Sequence, residues 1–314
     1  MLDILAITSP IYFVVLAGYL ATRARLFERM DMRVFGKFVF NLALPALIFN
    51  ALAQRHISDV LHPGYLLAYL GGSLLSMSAG YLGGRLLGGW SHTRSTFLGM
   101  GMSCSNSSFI GFPILLLMVA PVAGVALALN VLVENLVMLP LLLAMAESGQ
   151  GKSGPWHQVL RQSVRQLLRN PLVIAVTAGL AVSLAQLRLP EPVTRTVQLF
   201  SQASGGLSLF VIGGTLVGLP LSSGWPRVLP VVLGKLLGHP LAVLLIIALL
   251  PLLAVTPMTP QLRAAALLMA AMPMLSIYPI LGQAYGEADR SATALLVCMV
   301  LSFFTLSGWM WLVR

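Results

Sequence analysis

Residues Ser103–Pro113 read Ser-Cys-Ser-Asn-Ser-Ser-Phe-Ile-Gly-Phe-Pro, a polar stretch closed by Gly111 and Pro113 inside an otherwise apolar span. A lipid-facing helix has no use for it. Backbone that gives up helical hydrogen bonds at membrane depth is tolerated only beside other protein or a wet cavity. A second interrupted span, Met272–Gln283, carries Pro273 and Pro279 in the other half of the chain. Two such spans in matching halves point to a transporter's binding site.

The apolar setting belongs to the whole chain. Of 314 residues, 58% are hydrophobic and 9% are charged, with mean hydropathy +0.90. Soluble domains carry about 25% charged residues. The expected class is therefore an all-α polytopic membrane protein, long enough for about ten spans. They are predicted near 3–22, 34–53, 64–88, 95–118, 121–145, 171–188, 197–219, 228–254, 262–284 and 291–313. The polar linker 147–169 divides them five and five, into repeats covering 1–146 and 170–314. An odd number of helices per repeat inverts the second copy relative to the first.

Charge sets the direction. The net charge of +10 would suggest nucleic acid in a soluble protein, but here it marks loops. Of the 19 basic residues, thirteen fall in one set of alternate loops: Arg23, Arg25, Arg29, Arg33, Lys37, Arg85, Arg94, Lys152, Arg161, Arg165, Arg169, Arg227 and Arg290. Five fall in the other set: Arg55, Arg188, Arg195, Arg263 and Arg314. The positive-inside rule makes the first set cytoplasmic. Both termini then lie outside (periplasmic) in a cell inner membrane, and the 147–169 linker lies inside. Met1-Leu2-Asp3 is expected to open a retained span rather than a cleaved signal, for want of a basic n-region and an Ala-x-Ala-like exit.

In the first break, Ser105, Asn106, Ser107 and Ser108 offer donors and acceptors, while Gly111 and Pro113 free backbone groups. A freed half-helix N-terminus favours an anion. In the second, Pro273, Ser276, Tyr278, Pro279 and Gln283 supply breaks and polar groups. Asn41 and Pro45 mark the second span, with Asn50 nearby. The plainer reading is kinked, closely packed helices with Ser and Gly at their contacts. Gly205-Gly206 and Gly213-Gly214 are read that way, as close packing rather than a site.

Ionisable residues inside spans are few, so each is informative. Glu134 is the only deep acid; His239 lies level with it by helical rise, and Lys235 lies one turn closer to the cytoplasm. These three are read either as a coupling site or as a structural charge pair. Cys104 and Cys298 are expected as free thiols. His56, His62, His92 and His157 are placed in solvated loops. No cofactor, metal-ligand cluster, nucleotide loop or nucleophile constellation is legible, so no enzyme is expected.

The segment Phe40–Phe49, Phe-Asn-Leu-Ala-Leu-Pro-Ala-Leu-Ile-Phe, resembles the second-helix signature of the auxin efflux carrier family, which includes plant PIN carriers and bacterial permeases. Asn106–Pro113 resembles its fourth-helix Asn-x-x-Phe-x-Gly-x-Pro pattern, and Pro273 to Tyr285-Gly286 resembles its ninth-helix motif. The resemblance covers the whole chain and implies an NhaA-like fold of two inverted five-helix repeats, with broken helices four and nine crossing. It implies a scaffold of spans one, two, six and seven. It also implies a mobile unit of spans three to five and eight to ten, moving like an elevator. Ile277 stands where many members carry Asn.

The function expected on these grounds is a secondary transporter (permease or efflux carrier) for a small organic anion such as a mono- or dicarboxylate. The alternatives are a sodium- or proton-coupled symporter or antiporter of the same fold, and a membrane sensor without flux. The expected partners are the anion, the lipid bilayer, a coupling proton or sodium and a second copy in a homodimer, with no nucleic acid.

Overall fold

The computed structural model describes residues 2–55, 60–149, 168–187, 189–218, 224–253 and 257–313, together with 165 and 255. Most of the 147–169 linker lies outside the described residues, as do His56, His157, Lys152, Arg161, Arg188 and Arg314.

The described residues form helices: α1 (Leu2–Arg23), α2 (Arg29–Ala53), α3 (Pro63–Leu87), α4 (His92–Ser103), α5 (Ser107–Met118), α6 (Ala120–Ser148), α7 (Pro171–Leu184), α8 (Glu191–Thr215), α9 (Pro226–Leu253), α10 (Pro260–Ala271), α11 (Tyr278–Ala284) and α12 (Ala288–Leu312). Five of these (α2, α3, α6, α9 and α12) are long and apolar enough to cross a membrane by length and composition, and the chain reads as a multi-pass membrane protein. The 14 residues of α7 rise only about 21 Å, so the predicted 171–188 span is shorter than a bilayer core. The predicted 95–118 span is two helices, α4 and α5, and 262–284 is α10 and α11; both breaks fall within the predicted stretches, but the first lies at 104–106, and Gly111 and Pro113, expected to free backbone groups, sit inside α5.

Proline also shapes the unbroken helices. Among the described residues, four of the five π-turns, those at 39–43, 107–111, 133–138 and 234–238, end two residues before a proline: Pro45, Pro113, Pro140 and Pro240. A proline ring lacks the N–H for the carbonyl four residues back and collides with it. Widening the preceding turn relieves both problems. Glu134 lies in the third of these turns and Lys235 in the fourth.

Two groups of helices emerge from the packing. In one, α8 packs along α1 and α2, and α7 on the second half of α2. In the other, α3 packs between α4 and α9, α10 touches α6, α9 and α12, and α11 packs on α12. The groups meet where α2 touches α6, where α1 touches α12 and where α8 touches the first turn of α5. The α1–α8 contact is backbone to backbone: a Cβ on Gly213 would strike the Val15 carbonyl, and one on Gly18 the Phe210 carbonyl. Gly214 faces Met32 and Thr22. The expectation of close packing therefore holds at Gly213-Gly214. It fails at Gly205-Gly206, where an added Cβ meets open space.

Candidate functional site

The two interrupted spans meet. Ser105 and Met274 form an antiparallel bridge, with the Asn106 N–H donating to the Pro273 carbonyl at 2.8 Å. The Asn106 side chain joins the two segments a second time: its Nδ2 donates to Ser276 Oγ, and its Oδ1 caps α5 by accepting from the Phe109 N–H at 3.3 Å. Ser107 and Ser108 open α5, so their own N–H groups have no intrahelical acceptor. Ser105, Asn106 and Ser107 are buried, whereas Ser108, Phe109 and Ser276 are half-buried and Ile277 is 44% exposed.

Beneath this surface lies a buried polar cluster. Glu134 Oε1 accepts from Tyr69 Oη and Ser107 Oγ, each at 2.8 Å, and from the Ser105 N–H at 3.4 Å. Lys235 Nζ donates to Ser105 Oγ at 2.8 Å and to the Ala270 carbonyl at 2.6 Å, and meets His239 Nδ1 at 2.9 Å. An ammonium has only donors, so Nδ1 accepts and the His239 ring proton sits on Nε2, 3.0 Å from Ser73 Oγ. Lys235 and His239 have no exposed surface, and Glu134 is 5% exposed.

These positions complement the broken helices. Glu134 sits at the N-terminal, dipole-positive end of α5. Lys235 holds a carbonyl at the dipole-negative end of α10. Each charge therefore faces the end that stabilises it. A carboxylate reaches the crossing, because Glu134 extends to it from α6. One sequence expectation changes here. Glu134 and Lys235 form no direct charge pair: the ion pairs among the described residues are Arg195–Glu191 and Arg290–Glu287, and Ser105 stands between the two buried charges.

Other predicted residues fall elsewhere. The Asn41 amide is taken by the Lys37 carbonyl at 2.8 Å, and its turn packs on α8 and α7. Pro45 lies in α2 just past that turn. Tyr278 is buried, with its hydroxyl on the Phe97 carbonyl at 2.8 Å. Gly111 and Pro113 are buried in α5; a Cβ on Gly111 would lie 2.5 Å from Met269 Sδ of α10, which ties α5 to α10. Pro273 is buried beside the bridge, Pro279 half-buried in α11, and Gln283 exposed at its far end. Cys104 and Cys298 are free and buried. No group of three or more His, Cys, Asp or Glu poised for a metal occurs among the described residues.

Sequence reasoning missed Tyr65, Tyr69, Asn130 and Ser73. Tyr65 Oη donates to Asn130 Oδ1 at 2.9 Å, and Asn130 Nδ2 to Ser107 Oγ at 3.1 Å. The signal was present: Tyr65 and Tyr69 are four residues apart on α3, as are Asn130 and Glu134 on α6. Equal spacings on two helices let the two pairs meet rung by rung.

A family described as "Membrane transport protein" matches residues 4–310. A "Putative malonate transporter" of Rhizobium meliloti (strain 1021) is 26% identical over 315 residues, covering 100% of this chain and 97% of that protein. The "Uncharacterized transporter YfdV" of Escherichia coli (strain K12) is 23% identical over 222 residues, covering 66% of this chain and 67% of that protein.

Proposed function

We propose, from the premise that this chain belongs to the membrane transport protein family and shares the signatures of the auxin efflux carriers, that it is a secondary transporter of a small organic anion such as a mono- or dicarboxylate. The observation that carries this reading is the meeting of two interrupted spans at Ser105 and Met274. Beside that bridge, Ser108 and Ser276 are half-buried, and the first N–H groups of α5 lack helical partners. Hydroxyl and amide donors at a helix N-terminus suit a carboxylate, and the Asn106 amide orients Ser276. The name of the Rhizobium meliloti relative fits this class.

In this reading the chain is two inverted five-helix repeats, 1–146 and 170–314, with ten spans in the inner membrane, both termini periplasmic and the linker cytoplasmic. Helices α1, α2, α7 and α8 form the scaffold. The remaining helices move against it as one body, carrying the anion past the face of α8 in an elevator-like step. Lys235 supplies the fixed positive charge that holds the α10 end, in place of a bound cation.

The test is uptake of radiolabelled mono- and dicarboxylates into proteoliposomes. Asn106→Ala and Ser276→Ala are expected to lower uptake of the accepted anion about tenfold or more, the cost of losing one hydrogen bond to a charged group. Unchanged uptake of every accepted anion in both variants overturns the site.

The presence of Glu134 at the crossing favours a second reading, in which anion movement is coupled to a proton or sodium. Flux that responds to an imposed proton or sodium gradient in the wild type, and ceases to respond in Glu134→Gln, separates coupled transport from uniport.

A further inference from the structure

At the end of α4 opposite the crossing, three helices begin side by side. The turn that leads into α9, Trp225–Val228, packs on α12, and the next turn of α9 packs on both α12 and α4. Each of the three brings an arginine to this end: Arg94 on α4, Arg227 on α9 and Arg290 on α12. The N-termini of α9 and α12 have no side-chain cap. Their positive dipole ends therefore add to the arginine charge.

Arg94 is held in place before any ligand arrives. Its guanidinium lies 3.9 Å from the centre of the Trp90 ring, and Trp90 is itself fixed by Arg85, whose Nη1 donates to its carbonyl at 2.8 Å. Arg94 Nε is shielded from solvent and has no hydrogen-bond partner. Burial lowers the Arg94 pKa from its usual value, and the charges of Arg290 and Arg227 lower it further against the opposing pull of Glu287. Glu287 already pairs with Arg290 at 2.6 Å. The cluster is therefore left with excess positive charge and one buried donor without an acceptor.

Apolar surface lies next to it. Leu86 and Leu87 follow Arg85 at the end of α3 and are 76% and 91% exposed. A small dissolved anion has no use for exposed leucines. A phospholipid places its phosphate on arginines and its acyl chains on leucines, with Trp90 at the boundary.

We infer that Arg94, Arg227 and Arg290, at the joined beginnings of α4, α9 and α12, form a binding site for the phosphate of an anionic phospholipid. The site lies on the larger helix group, apart from the crossing.

The purified full-length protein in detergent tests this through its melting temperature and native mass spectrometry, with short-chain phosphatidylglycerol, phosphatidylcholine of the same chains, or inorganic phosphate added. Phosphatidylglycerol is expected to raise the melting temperature and to survive as a bound adduct, while the other two do neither. Arg227→Gln, an exposed position, is expected to weaken the apparent affinity about fivefold, and Arg94→Gln/Arg290→Gln to weaken it about 25-fold, at roughly fivefold per arginine. Arg33→Gln on α2 makes the same charge change elsewhere and is expected to change nothing. Equal effects of the two lipids, an equal effect of inorganic phosphate, or undiminished affinity in Arg227→Gln overturns the inference. If the double variant does not fold, Arg227→Gln against Arg33→Gln decides alone.

Discussion

Lys235 and Glu134 communicate through one residue: the ammonium donates to Ser105 Oγ at 2.8 Å, and the Ser105 N–H faces Glu134 Oε1 at 3.4 Å. The link runs from α9 through the break between α4 and α5 to α6. It ties α9, from the second half of the chain, to the break and to α6 in the first.

The two charges are therefore expected to be non-additive. Glu134→Gln keeps an oxygen for Tyr69, Ser107 and Ser105, so the folded protein should lose only about 1–2 kcal/mol. Lys235→Met leaves Ala270, Ser105 and His239 without their donor and should cost about 3–5 kcal/mol. The double variant should cost less than the two together, because no buried charge is left uncompensated. Melting temperatures of the three variants in detergent check this, and strict additivity would show the charges to be independent.

The glycines of α8 separate packing from open surface. Gly213→Ala drives a methyl into the Val15 carbonyl, an overlap that only a shift between α1 and α8 relieves. It should cost about 1–3 kcal/mol. Gly206→Ala meets nothing and should leave the melting temperature the same or slightly higher. A loss at Gly206 equal to that at Gly213 would place a neighbour there.

Asn41 and Asn106 are both asparagines in interrupted apolar segments, but their amides are used differently. Asn41 donates within its own helix to the Lys37 carbonyl, four residues toward the amino end, whereas Asn106 joins two segments. Asn41→Ala is expected to keep uptake within about twofold of wild type, at the low end of one hydrogen bond's net worth. Uptake falling as far as in Asn106→Ala would bring α2 into the substrate path.

Thiol labelling reports whether the crossing stays closed. Cys104 is 1% exposed and Cys298 has no exposed surface. A bulky maleimide should label neither in the folded protein and both after denaturation in dodecyl sulfate, counted by mass. Modification of Cys104 without denaturant would mean that the buried layer under the bridge opens to water.

How much of this was legible in the sequence depends on what each signal encodes. The breaks were legible because polar residues at membrane depth, joined by Pro273 in the second, act locally, whatever the neighbours; Pro113 only widens the turn before it, inside α5. The level of Glu134 with His239 followed from helical rise alone. Rotation about a helix axis did not, so Ser105 as the bridge and the Tyr65–Asn130 rung went unread, although their matched spacing was present. Doubled glycines look alike on any face, which is why Gly205-Gly206 and Gly213-Gly214 were grouped. The start of α8 at Glu191 was missed because Glu191 and Arg195 sit together in its first turns as an exposed pair, in a stretch too polar to count as span.

The bridge between Ser105 and Met274 is made by main-chain atoms, so no side chain owns it. On the proposed reading, substitutions at Ser108, Ser276 or Ile277 would alter what fits at the crossing while the two segments stay stitched. A carrier built that way would change its cargo by single replacements without having to relearn its assembly.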